Sequence, residues 1–448
     1  MFRPSPSMFL LHRDVRTNLP GPEEPKVVPL SSGRPQLFGF DGDDEVEDPG
    51  LSDLVLEAHL AAAPDLSFLA LRGGSLFTCI NTVDKKLIVI SSTFPGNHHR
   101  EVFIIFDTID RSLRIIPAVP RSLRLNRTNR VLAVRKHGDE RSYALVIPGQ
   151  AVTSVSDKGL AEWQDVLFIS PSSSTSPFAS PSSSTSMPSP PLPWQLMKKA
   201  NIPKLQLNDN FFADEVFSFC GHGYWADLLF GVLYCNCADV LSDSVDTVDF
   251  HFVKLPPPYL GSPLGRDFIA ELRAFRTMAC VGGTIKFVSI DGFILPMNPQ
   301  IMKHRYVKVW TLTGDFKWLI EDKLSMGDLW RMPGFLKIQS LFSKYRSLAP
   351  MYPFLSTKED RVIYFALGEV IQGHSSGSFP ITVHFLLRVD MILQDLSFIR
   401  IPGSQRPTMQ NYFGVDHSIL CPPVALAGDG KSKGKVRGLQ AKMRGLKV

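Results

Sequence analysis

Long apolar stretches are missing from this chain. The longest unbroken run, Leu228 to Cys235, has eight residues, and a bilayer-spanning helix needs about 20. Met8 to Leu11 is too short for a signal-peptide core. Cysteine is scarce, six among 448 residues, which without a secretory leader points to a reducing compartment and free thiols. No serine-centred nucleophile elbow and no phosphate loop can be read. These absences argue against a membrane protein, a disulfide scaffold and the best-marked enzyme classes. The expectation is an intracellular protein of the cytoplasm, the nucleus or both, without metal or cofactor.

What is present begins with charge. Seven basic residues and no acid lie between Lys431 and Lys447; removing them from the net +5 leaves −2 for the rest. The basic character is therefore a property of the tail. Asp41 to Asp48 is an acidic loop, and Arg111 to Lys136 carries eight bases and no acid. Within that last segment Arg121, Arg124, Arg127 and Arg130 recur every third residue. This spacing drifts around an α-helix, so the guanidiniums decorate a loop or a blade edge and are candidates for contact with an anionic partner. A solvated loop is the competing reading.

Along the chain, residues 1 to 50 read as a weakly ordered lead-in rich in proline, glycine and charge. Leu51 to Ala63 reads as a short helix, with Leu54, Val55, Ala58 and Ala62 on one face. From Ser67 the pattern becomes short β-branched and aromatic runs between turn residues, with no long helix between them, which favours antiparallel strands. Residues 170–193 contain Pro-Ser-Ser-Ser-Thr-Ser twice and read as a disordered loop or linker, with Ser-Pro pairs as candidate phosphorylation sites. Strands then resume to about residue 425, interrupted by one helix presenting Phe335, Ile338, Leu341, Phe342, Tyr345 and Leu348. Residues 426–448 form the basic tail.

Val102 to Phe106 is apolar at every position. A sheet with one solvated face should alternate, whereas a sheet covered on both faces need not. A repeat points the same way: three apolar strands each pass through a polar turn into a strand ending in an aliphatic residue and proline, at Pro117, Pro256 and Pro402. The spacing of about 140 residues suggests three units of roughly 40–50 residues, the length of a propeller blade. The expected fold is all-β, an antiparallel β-propeller of about six or seven blades with few short helices. It divides into 51–169 and 194–425 around the Ser/Pro-rich insertion.

Local constellations argue for little chemistry. Cys220-x-His222 and Cys235-x-Cys237 could supply four tetrahedral zinc ligands, but both pairs sit in apolar strands where buried thiols are common. Gly221-His-Gly-Tyr-Trp-Ala226 has the letters of a dinucleotide fingerprint without the helix that motif needs, and reads as a tight turn. Asp239, Asp243, Asp246 and Asp249 lack the alternation and glycine of a calcium loop. His98-His99 reads as a surface pair.

Three segments taken together carry a resemblance: Gly223-Tyr-Trp-Ala-Asp-Leu-Leu-Phe-Gly-Val-Leu-Tyr-Cys-Asn-Cys237, Phe252-Val-Lys-Leu-Pro-Pro-Pro258, and Phe275-Arg-Thr-Met-Ala-Cys-Val-Gly-Gly-Thr-Ile-Lys-Phe-Val-Ser-Ile-Asp291. With Val309-Trp310 and Pro350-Met-Tyr-Pro-Phe354, this order resembles the plant domain-of-unknown-function family 1618, and more loosely F-box-associated and kelch-type propeller segments. The resemblance implies a fold and no established activity, and no F-box-like helical pair is visible. The functional expectation is a non-catalytic scaffold that binds another protein. The alternatives are a nucleic-acid-binding protein using the arginine-rich segment and the tail, and a propeller hydrolase whose carboxylates line a central channel.

Overall fold

The computed structural model describes residues 8–12, 27–30, 36–37, 54–59, 66–72, 77–84, 86–94, 100–119, 130–136, 139–155, 161–170, 194, 196–203, 211–256, 273–291, 305–341, 348–356, 359–370, 381–400 and 412–416. Short strands before the first full blade are β1 (Met8–His12), β2 (Val27–Pro29), β3 (Gln36–Leu37), β4 (Val55–His59) and β5 (Leu66–Arg72). Blade II comprises β6 (Phe77–Asp84), β7 (Leu87–Phe94), β8 (Arg100–Asp107) and β9 (Ser112–Pro117). Blade III comprises β10 (Leu132–Lys136), β11 (Asp139–Val155), β12 (Ala161–Ile169) and β13 (Leu196–Asn201). Blade IV comprises β14 (Glu215–Phe219), β15 (His222–Asp227), β16 (Gly231–Asn236) and β17 (Thr247–Lys254). Blade V comprises β18 (Arg276–Val281), β19 (Thr284–Asp291), β20 (Tyr306–Leu312) and β21 (Trp318–Ser325). Blade VI comprises β22 (Leu348–Leu355), β23 (Val362–Val370), β24 (Ile381–Asp390) and β25 (Asp395–Arg400), and β26 (Tyr412–Asp416) follows. Among the described residues three short α-helices accompany them: α1 (Cys237–Leu241), α2 (Met326–Arg331) and α3 (Pro333–Leu341).

Each of blades II to VI is a four-stranded antiparallel meander, and its first strand lies against the first strand of the next. Blade I is built from both ends of the chain. Its order is β26-β1-β5-β4-β2, with Met8 opposite Asp416 and His12 opposite Tyr412 in an antiparallel pair. The result is a six-bladed propeller closed by its C-terminal strand. β1, β2 and β3 belong to these sheets; the rest of the expected lead-in over residues 1–50, apart from Leu30, lies outside the described residues. β4 also corrects the expected helix over Leu51–Ala63. Val55 to His59 pair antiparallel with Arg72 to Phe68, Leu54, Leu56 and Ala58 are buried, and Glu57 on the other side is held by Arg72.

Among the described residues five apolar clusters fill the spaces from blades I and II round to blades V and VI. Val102, Ile104 and Phe106 of β8 pack towards blade I with Leu56 and Leu69, while Phe103 and Ile105 pack towards blade III with Val131 and Leu145. The absence of alternation at Val102 to Phe106 thus has its cause in two buried faces. Trp225, fully buried, anchors the space between blades III and IV beside Phe250, 5.7 Å between ring centroids. Burial of such side chains contributes about 1.5–3 kcal/mol each. Gly223 lets blade III approach here, because a Cβ would lie 2.3 Å from the Leu132 side chain.

The strand-end prolines also find their place. Pro117 ends β9 of blade II and Pro256 follows β17 of blade IV. They are two blades apart, not three, so a blade here occupies about 70 residues (from the expected spacing of about 140) and exceeds the usual 40–50. Residues 171–193, most of the expected Ser/Pro-rich loop, lie outside the described residues, as does the tail.

The outer edges of the blades are protected in different ways. β13 and β17 pair with each other in parallel, joining blades III and IV into one eight-stranded sheet. β3 adds in parallel to β9. The outermost strand of blade I, β2, has three residues and ends in Pro29, and short proline-bearing edges resist further pairing. α3 lies against β25 so closely that a Cβ on Gly334 would meet the Leu396 carbonyl oxygen at 1.8 Å. No described segment pairs with the outer edge of β21.

Candidate functional site

The bare edge of blade V is where exposed apolar side chains collect. Among the described residues nine large apolar side chains are exposed, and five lie on two neighbouring hairpins: Phe316, Leu319 and Ile320 on β20–β21, and Ile392 and Leu393 on β24–β25. Leu393 is 75% exposed and Leu319 59%. Single exposed apolar residues are ordinary; here Leu319 and Ile320 follow one another on an edge strand, and Ile392 and Leu393 on a hairpin turn.

Phe316 takes its position from a tight loop. The Thr313 hydroxyl donates to Asp315 at 2.5 Å, the Thr313 amide donates to the Lys317 carbonyl at 2.9 Å, and the Phe316 amide donates to the Thr313 carbonyl at 3.0 Å. This leaves Phe316 at φ +58°, a costly conformation for a residue with a bulky side chain. Its ring recovers contact by stacking on Tyr234 at 4.6 Å. Tyr234 stacks on Tyr224 and Tyr224 on Phe217, at 5.6 and 5.4 Å. The last three are directly opposite one another on β16, β15 and β14, so a ladder of rings runs from the inner strand of blade IV to the tip of blade V. Burial holds the Tyr224 hydroxyl un-ionised, pushing its pKa up to about 12.

A charged network ties the two apolar hairpins together. Lys286 of β19, almost fully buried, donates to Glu321 at 3.0 Å and to Asp360 of blade VI at 3.1 Å. Burial alone would lower its pKa, but the two carboxylates outweigh that and hold it above the ordinary lysine value. Arg361 of blade VI forms a bidentate pair with Asp322 of blade V, and Arg388 does the same with Glu359. These hydrogen bonds raise both guanidinium pKa values. The Met391 amide donates to the Arg361 carbonyl at 3.0 Å, which sets Ile392 and Leu393 beside the same network. Below it, Met326, Leu329, Met332, Phe335 and Ile338 of α2 and α3 fill the wedge between blades V and VI. The outcome is a rigid rim with apolar knobs around a paired polar centre.

The residues singled out from the sequence lie elsewhere. Arg130 donates to the carbonyls of Ile80 and Asn81 at 3.3 and 3.1 Å, and the Asn81 side chain accepts from the Val131 amide at 2.7 Å. Arg130 thus fastens blade II to blade III at the bulge in β6. Arg121, Arg124 and Arg127 lie outside the described residues, as do His98 and His99. Cys235 and Cys237 are buried in the core towards blade III, whereas the His222 ring lies against Tyr224 and Tyr234 on the face towards blade V. The sheet therefore separates the two halves of the zinc-like set. Cys220 and Gly221, both at positive φ, form a two-residue hairpin turn between β14 and β15, in the place where a nucleotide fingerprint would require a helix. The acidic loop rises from α1, and buried Lys198 beneath it donates to the Asp239 carbonyl at 2.9 Å and to the Ser242 carbonyl. Burial lowers the Lys198 pKa.

No curated protein matches the chain. Solved structures similar to it include a GH32 beta-fructofuranosidase from Bombyx mori, at 11% identity and TM-score 0.28 over 73% of this chain and 63% of that one. The chain thus spans less than two thirds of that enzyme's length. A hypothetical selenium-binding protein from Sulfolobus tokodaii is 10% identical, with TM-score 0.35 over 81% of this chain and 73% of that one. The beta-propeller domain of the Trilobed protease from Pyrococcus furiosus, whose topology is an open velcro, is 9% identical, with TM-score 0.27 over 72% of this chain and 93% of that one. Residues 225–364, from Trp225 of β15 through all of blade V and both wedge helices to Tyr364 of β23, match the model of the family described as protein of unknown function DUF1618.

Proposed function

We propose that this protein is a non-catalytic β-propeller scaffold that binds another protein through the rim of blades V and VI. The observation that carries this reading is the exposure of Leu319, Ile320, Ile392 and Leu393 on the two hairpins that flank a network of paired charges between blades V and VI. Apolar anchors on a rigid base supply binding energy at little ordering cost. Glu321 and Asp360 share Lys286, Asp322 pairs with Arg361 and Glu359 with Arg388, and Asp315 and Asp328 are displaced downward by hydrogen bonds to Lys317 and Ser325 respectively. A general acid needs a shift in the opposite direction. Nucleic-acid binding through the arginine-rich segment is disfavoured by Arg130, whose guanidinium is spent on backbone carbonyls. Among the described residues no helix is long and apolar enough to cross a membrane.

The test compares the wild-type chain with a Leu319→Ser, Ile320→Ser, Ile392→Ser, Leu393→Ser variant in affinity capture from native tissue after nuclease treatment. A stoichiometric protein retained by the wild type and lost by the variant is the expected result. Equal retention by both would move the binding surface elsewhere.

A further inference from the structure

Phe316 is an unusual residue for the place it occupies. Among the described residues six non-glycine residues at positive φ lie in tight hairpin turns, and five of them are Lys86, Arg111, Cys220, Arg361 and Gln394. The sixth is Phe316, at φ +58°. The hydrogen bonds that close its loop use the backbone and the side chains of Thr313, Asp315 and Lys317. None of these bonds needs a ring at position 316, and asparagine adopts this backbone conformation more readily.

A ladder of rings that crosses the whole of blade IV supports it. Phe217, Tyr224, Tyr234 and His251 stand opposite one another in register on β14, β15, β16 and β17. Phe217 and Tyr224 are 16° from parallel, Tyr224 and Tyr234 21°, and His251 is tilted by 33° against Tyr234. Phe316 lies on Tyr234 at 14°, and His222 meets the same ring edge-on. Tyr234 is left 9% exposed, whereas Phe316 keeps 37%. Because one face of Phe316 rests on Tyr234, that exposure falls on its other face and its edge. A further ring laid there would continue the stack, in the offset or edge-on geometry that aromatic pairs prefer. The adjacent cation, Lys317, is bonded to Asp315 at 2.7 Å, and Leu319 and Ile320 on the same hairpin are exposed and aliphatic. These surroundings suit an aromatic side chain, whereas a nucleotide calls for groups that can hold its phosphate.

We infer that the outer face of Phe316, at the seam of blades IV and V, is a stacking site for an aromatic side chain of a partner protein. This rests on the reading of the protein as a scaffold, and it names the chemistry of one anchor that the partner carries. Tryptophan and tyrosine are the residues that most often anchor protein interfaces. The ladder beneath Phe316 holds the ring in place before binding, so little ordering is required when the partner's ring arrives.

The experiment is saturation-transfer NMR on the full-length protein with N-acetyltryptophanamide as the probe, and with N-acetylleucinamide and adenosine monophosphate at the same concentration for comparison. The expected result is transfer to the indole protons that exceeds transfer to the leucine methyls and to the adenine protons. Binding of the indole should weaken roughly two- to twelvefold in Phe316→Asn, the range that an aromatic pair gains beyond burial of area. Phe316→Leu keeps apolar bulk without a ring face and should weaken it likewise, so the test stands if either variant melts as the wild type does. Phe212→Ser removes a ring of similar exposure on blade IV, 39%, and should leave the signal unchanged. Equal transfer to leucine, or indole transfer that survives both Phe316 variants, would overturn the inference. Stronger transfer to adenine would overturn it in favour of a nucleotide. The capture experiment changes Leu319, Ile320, Ile392 and Leu393 and leaves Phe316 in place, so the two results separate. Absence of ring selectivity here, with rim-dependent capture retained, removes the stacking site alone. Loss of rim dependence in capture removes the rim and leaves the ring to its own measurement.

Discussion

Asp84, the last residue of the inner strand of blade II, accepts hydrogen bonds from both the amide and the hydroxyl of Ser218 in the inner strand of blade IV, at 2.8 and 2.5 Å. One step along, the Thr82 hydroxyl donates to the Val216 carbonyl at 3.0 Å. Strands belonging to blades separated by a third therefore touch directly, and the axis between them is closed on this side.

Asp84→Ala should destabilise the fold by about 1–3 kcal/mol, the cost of leaving Ser218 donors without their acceptor. Chemical denaturation measures it. Ser218→Ala, which keeps the backbone donor, should cost less. Equal and negligible effects would mean that the two blades do not rely on this contact.

Gly334→Ala and Gly327→Ala form a matched pair. The first places a methyl against the Leu396 backbone, and the overpacking should cost at least about 1–3 kcal/mol. The second meets only the Ser325 side chain at 3.7 Å, so helix propensity should dominate and the change should be neutral or stabilising by a few tenths of a kcal/mol. Thermal melts of both variants settle the comparison.

The pH dependence has a definite sign. Burial raises the pKa of Tyr143, Tyr224 and Tyr364 to about 12 each, against about 10 in an unfolded chain. Between those values the folded protein holds protons that the unfolded chain has released, so stability falls as pH rises from about 10 towards 12. Lys286, also raised, acts in the same direction. Stability should be flat in this respect below pH ~10, and phenolate absorbance should appear together with unfolding. Tyr364→Phe should soften the alkaline decline; phenolate formation well before unfolding would contradict the assignment.

Lys286→Met should be strongly destabilising, because it leaves Glu321 and Asp360 facing each other across two blades without their shared cation. Breaking a largely buried ion pair by removing one partner costs about 3–5 kcal/mol; the exposure of Asp360 places this case at or below the lower end. Pairing it with Glu321→Gln should recover part of the loss, a double-mutant cycle that reads the coupling itself.

Much of the architecture was legible in the residues, and the reasons are local. Val102 to Phe106 reported two covered faces, and the strand–turn–strand–proline units marked the outer hairpins of blades II and IV, because burial and turn chemistry act over a few residues. What was not legible depends on distant pairing. Leu54, Val55 and Ala58 fit a helical face until Leu56, Glu57 and Ala58 are seen beside β5, with Glu57 held by Arg72 at 3.2 Å. Arg130 looked like a free cation because Ile80 and Asn81 lie about fifty residues away in sequence. The rim could not be foreseen, since Leu319 and Ile320 resemble any buried strand pair until it is known which blade edges are covered.

The pairing of Met8–His12 with Tyr412–Asp416 bears on how the molecule is made. A ribosome delivers Met8–His12 before the strands of blades II to VI and Tyr412–Asp416 after them. Blades II to VI are built from neighbouring hairpins and can form in order, but the ring must wait for its final clasp. Contacts of such long sequence separation form slowly. The nascent chain consequently passes the synthesis of blades II to VI as an open arc in which β1, paired with β5, keeps its other edge uncovered. That interval, rather than the finished protein, is when it would most need chaperone cover against edge-to-edge association.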